Sequence, residues 1–93
     1  MNLDGWYAKD KNNVYYYRPV SGGMQISKLE GADTKTFKLL QGHYQYAVDK
    51  YFFYDGTQVI EGFNPAKTRQ LLNNKGQVTA IISNNKRFKL DLN

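Results

Sequence analysis

The chain has 93 residues, and its 13 Lys and Arg against 8 Asp and Glu give a formal net charge of +5 at pH 7. This length supplies one domain, and a hydrophobic content of 41% excludes the charge-dominated sequences that stay disordered. The absence of cysteine excludes a disulfide framework and a thiol nucleophile, and no apolar run approaches the roughly 18 residues of a membrane span. The first ten residues lack the basic and apolar regions of a signal peptide, so a cytoplasmic and an envelope location both stay open.

The first predicted unit spans residues 6–41 and opens with a β-hairpin. Trp6–Lys9 and Val14–Arg18 are rich in aromatic and β-branched residues, which favour strands. The polar stretch Asp10–Asn13 between them suits a tight turn, because Asp and Asn tolerate the positive φ that such turns need. After a break rich in Gly and Pro, alternating side chains predict a third strand at Met24–Leu29.

The second predicted unit, residues 43–73, repeats this order. Tyr44–Val48 alternates as a strand, Asp49-Lys50 is the predicted turn, and Tyr51–Tyr54 is the predicted return strand. Asp55-Gly56 is a strong turn signal, and the third strand follows it. A repeated hairpin with aromatic faces indicates that two units share one core, since a lone hairpin cannot bury such a face.

Each unit is predicted to end in a short helix, near residues 33–41 and 65–73. Asp33 and Asn64 are suitable N-cap residues, and Pro65 stands where the first helical residue would lie. The remaining segment, residues 76–92, reads as a third hairpin that lacks a helix and caps the repeat. The predicted fold is therefore α+β, with antiparallel β-hairpin repeats, two short helices packed on the sheet and a C-terminal hairpin as cap, in a single domain over residues 1–93.

The first unit resembles the bacterial DKNYY family. The stretches "YAKDKNNVYYY" and "GADTKTFKLL" carry the family's Asp-Lys-Asn, Tyr-rich strand and Gly-Ala-Asp with Thr-Phe. The second unit departs from the pattern, because Asn is absent after Lys50 and Phe63-Asn64-Pro65 replaces the Ala-Asp pair. The resemblance covers residues 6–72 and implies a bacterial β-rich repeat protein, without implying an activity.

The sequence offers little for catalysis or metal binding. His43 is the one histidine, and Glu30 and Glu61 stand at matching places before glycines, which suits strand ends better than a general acid–base pair. Asp10 and Asn12 share the first spacings of a calcium loop but lack its glycine and closing glutamate. We therefore expect no enzyme activity, no metal and no cofactor.

The tyrosine-rich strands are the distinctive feature, because they place aromatic side chains on both faces of a sheet. Tyr15 and Tyr17 alternate with Tyr16, and Phe52 and Tyr54 alternate with Tyr51 and Phe53, so one aromatic set faces outward unless helices cover both faces. Exposed tyrosine suits protein interfaces, and one basic cluster lies near the C-terminus. The predicted partner-binding residues are Tyr15, Tyr17, Phe52, Tyr54, Lys86, Arg87 and Lys89.

Three functions fit these features. The first is a small protein-binding module of the immunity or inhibitor type, whose partner has an acidic contact surface because this chain is basic. The second is a structural or envelope repeat module, which the family resemblance permits. The third is single-stranded nucleic-acid binding on an aromatic sheet bordered by Lys86, Arg87 and Lys89, which no known sequence signature supports.

Overall fold

The structure, a computed structural model, describes residues 6–90, and 49% of them lie in β-strands. All strand pairs are antiparallel and form three small sheets. The first sheet consists of β1 (Tyr7–Lys9), β2 (Val14–Val20) and β3 (Gly23–Leu29). The middle sheet consists of β4 (Lys38–Leu39), β5 (Tyr46–Val48), β6 (Phe53–Asp55) and β7 (Gln58–Ile60). The third sheet consists of β8 (Arg69–Leu72), β9 (Val78–Ser83) and β10 (Lys86–Lys89).

The predicted α+β class is wrong, because neither predicted helix forms in residues 6–90. Near 33–41, Asp33 Oδ2 accepts from the N–H and the hydroxyl of Thr36, which closes one turn before the chain enters β4. Near 65–73, Asn64 caps only the short 3₁₀ turn Pro65–Lys67, and β8 follows. The residues after each turn then pair with the next strand along the chain, β4 with β5 and β8 with β9, and this pairing overrides the local helical pattern.

Two aspartates fix the hairpin turns of the first and middle sheets in the same way. The N–H groups of Asn12 and Asn13 donate to Asp10 Oδ1 over 2.8 and 2.7 Å. Those of Tyr51 and Phe52 donate to Asp49 Oδ1, each over 2.8 Å. The turn therefore runs from Asp49 to Phe52, and the predicted return strand Tyr51–Tyr54 is wrong by two residues, since β6 begins at Phe53.

Two hydrophobic clusters fill the spaces between neighbouring sheets. The N-terminal cluster joins the first and middle sheets and contains Tyr7, Val14, Tyr16, Leu29, Phe37, Ala47 and Tyr54. The C-terminal cluster joins the middle and third sheets and contains Leu40, Tyr46, Val48, Phe53, Ile60, Phe63, Val78, Ile81 and Leu90. Neighbouring residues of β5 and β6 point into different clusters. The middle sheet is therefore buried on both faces by other sheets, and no helix is needed to cover it.

Polar bonds also tie the units together. The Tyr7 hydroxyl lies 2.7 Å from the Gln45 carbonyl oxygen and 2.8 Å from that of Gly56, so β1 is fastened to both ends of the middle hairpin. Between the middle and third sheets, the Val78 N–H in β9 donates to the carbonyl of Gln41, which follows β4, over 2.9 Å. Each unit thus contacts the next one along the chain, as in repeat proteins.

The third sheet turns a charged side outward. Residue pairing places Arg69, Ile82 and Arg87 in one row across β8, β9 and β10, and Lys89 lies opposite Ala80. The other side carries Ile81 and Phe88, which pack in the C-terminal cluster. The predicted hairpin 76–92 is thus part of a three-stranded sheet, and its last two residues lie outside the described range. A polar outer side is typical of a terminal unit in a repeat stack.

Candidate functional site

A groove of about 660 Å³ lies where the Asp49–Phe52 turn, the segment after β7 and the β9–β10 turn meet. Three of its apolar residues are exposed, namely Tyr51 (53%), Phe52 (43%) and Val59 (38%). Its volume lies within the roughly 300–1,000 Å³ that is typical of ligand-binding clefts. The groove is lined by Tyr51, Phe52, Val59, Ile60, Glu61, Gly62, Phe63, Asn64, Lys67, Ser83 and Asn84.

Hydrogen bonds and ring contacts fix the positions of the aromatic residues in the groove. The Asp49 carboxylate accepts the N–H groups of Tyr51 and Phe52, which fixes the backbone of both. The Phe52 ring also meets the buried Tyr54 ring edge-on, with centroids 6.2 Å apart. Phe63 packs edge-on against Phe88 at 6.2 Å on the other wall. The exposed rings are therefore positioned before any partner arrives, which lowers the ordering cost of binding.

Lysines surround this apolar floor. Lys67 lines the groove, and the Lys50 amine lies 5.0 Å from the centroid of the Tyr51 ring, a cation–π contact. Lys86 lies against Gly62, where an added Cβ atom would come within 2.9 Å of its amine. Among residues 6–90, none of these three lysines pairs with a carboxylate. With Glu61 as the one carboxylate of the lining, the groove is apolar with a basic border.

Three of the aspartate carboxylates accept hydrogen bonds within turns. Asp10 and Asp33 accept local N–H or hydroxyl groups, and Asp49 accepts two turn N–H groups. The N–H bonds from Asn12 and Asn13 lower the pKa of Asp10, and the Thr36 hydroxyl lowers the pKa of Asp33. These carboxylates stabilise backbone turns and keep their negative charge, and the basic excess of the chain comes from its net charge of +5.

The predicted aromatic contacts fall in different environments. Tyr15 and Tyr17 are half-buried on the outer side of the first sheet, whereas Tyr16 is buried on its inner side. Phe52 lies at the groove. Tyr54 is buried in the N-terminal cluster and donates to Asp49 Oδ2 over 2.7 Å; burial, followed by this bond, raises its pKa. Tyr54 offers no surface to a partner, because the first sheet covers it.

The predicted basic cluster is also divided. Lys86 borders the groove, while Arg87 and Lys89 lie in β10 on the outer side of the third sheet. Phe88, between them in sequence, packs inward against Phe63. From the predicted set, only Phe52 and Lys86 lie at the groove.

Sequence reasoning missed the contributions of Tyr51, Val59 and Lys67 to the groove. The available signal was the match between the turns Asp10–Asn13 and Asp49–Phe52, which places Tyr51 and Phe52 in a turn instead of a strand. The positions of Val59 and Lys67 beside them depend on how β7 and the Pro65–Lys67 turn pack next to the Asp49–Phe52 turn, which no local pattern displays.

The titratable side chains considered for catalysis lie apart. His43 is buried, its Nε2 atom is 2.5 Å from the Val78 carbonyl oxygen, and its ring packs on Tyr46. Glu30 pairs with Lys28 at 3.8 Å, while Glu61 lies at the groove. No group of three His, Cys, Asp or Glu residues suited to a metal occurs within the described range.

Comparison with known proteins identifies one relationship. The model of the DKNYY family matches residues 7–92, which includes the third sheet as well as the two units that resemble the family in sequence. No curated protein matches the chain, and no solved structure matches it. In the described part of the chain, no helix has the length and apolar character needed to cross a membrane.

Proposed function

This chain belongs to the DKNYY family, and we propose that it is a small non-catalytic module that binds another protein through the groove beside Phe52. The observation that carries the proposal is an exposed pair of aromatic residues, Tyr51 and Phe52, held on a fixed turn at the edge of a concave surface. Aromatic anchors that fill or border a pocket supply most of the energy in many protein interfaces.

The border of the groove defines the partner. Lys50, Lys67 and Lys86 present positive charge around an apolar floor, so the partner should insert an apolar side chain and flank it with Asp or Glu. Complementary charge speeds association and sets the orientation of binding, while the buried apolar contact supplies most of the affinity. An acidic toxin or effector blocked by this surface would make the chain an immunity or inhibitor-type protein.

Nucleic-acid binding is the second candidate, and the row of Arg69, Arg87 and Lys89 on the outer side of the third sheet favours it. Against it, the neighbouring Phe88 points inward, so this side lacks the aromatic platform on which bases stack. A salt titration of binding to a single-stranded oligonucleotide separates the two functions, because phosphate contacts give a steep salt dependence.

The experiment for the protein-binding proposal compares two adjacent phenylalanines. We expect immobilised wild-type chain to retain a defined partner from source-cell extract, identified by mass spectrometry. Phe52→Ser should weaken the affinity for that purified partner by at least about tenfold, because it removes an interface anchor, and should leave the melting temperature nearly unchanged. Phe53→Ser should instead unfold the chain, because Phe53 is buried in the C-terminal cluster.

The matched control is Leu72→Ser, which removes an equally exposed apolar side chain away from the groove and should leave binding unchanged. Exchanging Lys67 and Lys86 for Gln should slow association and reduce its salt dependence. Equal partner binding by wild type and Phe52→Ser would refute the groove as the site, and retention of no specific protein would favour a structural role.

A further inference from the structure

The outer side of the first sheet corresponds to a side of the middle sheet that is buried. Because the turns at Asp10 and Asp49 match, the pair Ala8 and Tyr15 occupies the places of Ala47 and Tyr54. Ala47 and Tyr54 lie in the N-terminal cluster, under the first sheet. The molecule therefore contains its own example of how such a side is covered.

In that internal example, the segment Asp33–Phe37 of the first unit docks on the Asp49 turn. The Asp33 N–H donates to Asp49 Oδ2 over 2.9 Å, and the Lys50 N–H donates to the Thr36 hydroxyl over 2.9 Å. The Phe37 ring then packs on the Tyr54 ring, with centroids 5.4 Å apart. Two hydrogen bonds in opposite directions and one ring contact thus form a clamp between consecutive units.

Within residues 6–90, the first sheet presents the same groups without the partners that they have in the middle sheet. Among these residues, Asp10 Oδ2 receives the Tyr15 hydroxyl over a long 3.5 Å, and no N–H group donates to that oxygen. The Lys11 N–H likewise finds no acceptor in the described part of the chain. Beside them, Ile26 pairs with Tyr17, and both Ile26 and Met24 are 57% exposed. The outer side thus combines exposed apolar side chains, with Lys28 among them, and both positions of the clamp.

We propose that the outer side of the first sheet docks a further repeat unit of the same kind, one that residues 6–90 do not supply. The partner would present an Asp-x-x-Thr-Phe turn on an apolar sheet. Its Asp N–H would donate to Asp10 Oδ2, its Thr hydroxyl would accept from the Lys11 N–H, and its Phe ring would pack on Tyr15. This surface is distinct from the groove beside Phe52, so the two proposals stand or fall separately.

The same contacts argue against a second copy of this chain as the occupant. In each copy, the Asp33–Phe37 segment is already bound to the Asp49 turn. The outer side of the third sheet carries Arg69, Arg87 and Lys89, and it would oppose Lys11 and Lys28 of the first sheet. Like charges at an interface disfavour association.

The test is a tandem protein in which residues 1–45 are followed directly by residues 7–93. Tyr7 and Tyr46 are equivalent positions, so the added residues 1–45 stand before the original Tyr7 as they stand before Tyr46 in the parent chain. We expect a single thermal transition above that of the parent chain, because the added unit gains a neighbour. Asp10→Asn at the original position should lower the melting temperature of the tandem protein by about 3 °C more than that of the parent. Exchange of the original Lys11 amide hydrogen should slow at least about tenfold, because that amide becomes bonded.

Several outcomes would overturn the proposal. One is an added unit that fails to fold or melts in a separate transition, with the Lys11 amide exchanging as in the parent chain. Another is an equal effect of Asp10→Asn on both proteins. A third is a parent chain that sediments as a dimer and becomes a monomer on Ile26→Lys, because the outer side would then bind a second copy. A matched control, Thr36→Val in the added unit alone, should remove part of the gain in melting temperature.

Discussion

At the scale of single residues, the Asp49 side chain both closes its own turn and binds the Asp33–Phe37 segment that precedes β4. It is 3% exposed and accepts four hydrogen bonds, from the N–H groups of Tyr51, Phe52 and Asp33 and from the Tyr54 hydroxyl. A buried carboxylate is stable only where its oxygens are hydrogen-bonded, and these four donors satisfy it without a basic partner among the described residues. Among the described residues, the equivalent Asp10 is exposed and accepts the two N–H groups of its own turn and the Tyr15 hydroxyl.

The sequence predicts both Asp10 and Asp49 in turns, and we expect removal of Asp10 to lower the stability of the fold much less than removal of Asp49. We expect Asp49→Ala to lower the free energy of unfolding by about 3 kcal/mol, because it leaves buried donors without an acceptor. Asp10→Ala should cost clearly less, since water can replace the lost bonds of an exposed turn. Urea unfolding of both variants measures the difference. Equal midpoints would show that the bonds from Asp33 and Tyr54 add nothing to the turn.

At the scale of elements, strands and turns could be predicted from the sequence because their determinants are local. Asp10–Asn13 closes the first hairpin where its polar residues indicate a turn, and Gln58–Ile60 forms the strand that follows Asp55-Gly56. The helices could not be predicted correctly, because Asp33 and Asn64 cap a single turn as readily as a full helix. What decides the outcome is that the next residues pair with the strand that follows them, β4 with β5 and β8 with β9, which a cap residue does not reveal.

The segment between β4 and β5 supplies the prediction at this scale. Gly42 has a φ of 89°, and a Cβ atom there would lie 2.6 Å from Gln77 Cγ and 3.2 Å from its Cα. We expect Gly42→Ala to lower the free energy of unfolding by about 3 kcal/mol. Backbone strain of about 1–2 kcal/mol adds to a clash with Gln77 between the middle and third sheets. Thermal unfolding provides the measurement.

Gly22 is the matched control for that substitution. Its φ is 87°, and a Cβ atom there would have no neighbour within 4 Å, so Gly22→Ala carries the strain alone. The difference between the two melting temperatures then reports the contact of Gly42 with Gln77. Identical melting temperatures would show that the two units can separate at this point without loss.

At the scale of the whole molecule, the sequence showed that units repeat but not how each aromatic face is covered. Alternation placed Phe53 and Tyr54 on opposite sides of β6, and both are buried because different neighbouring sheets cover them. In the described part of the chain, a neighbouring sheet covers the first sheet on its inner side, so Tyr16 is buried while Tyr15 on the outer side stays half-buried. Exposure therefore depends on the position of a unit in the stack, which strand periodicity alone does not contain.

Alkaline pH provides a test of whether the stack unfolds as one. Burial, with the negative charge of neighbouring phenol and carboxylate groups, raises the pKa of Tyr7, and burial with the Asp49 bond raises that of Tyr54. Because the folded-state pKa exceeds the unfolded value of about 10, this stabilisation is complete below pH 10 and is lost as pH rises above it. We expect far-UV circular dichroism and the tyrosinate absorbance of these buried groups to change together above pH 10, since the middle sheet shares a cluster with each neighbour.

Tyr7→Phe keeps the ring and removes one titrating group, so it should reduce the slope of the free energy of unfolding against pH in this range. Ionisation of Tyr7 and Tyr54 while hydrogen-exchange protection in the third sheet persists would instead show that the first unit opens by itself.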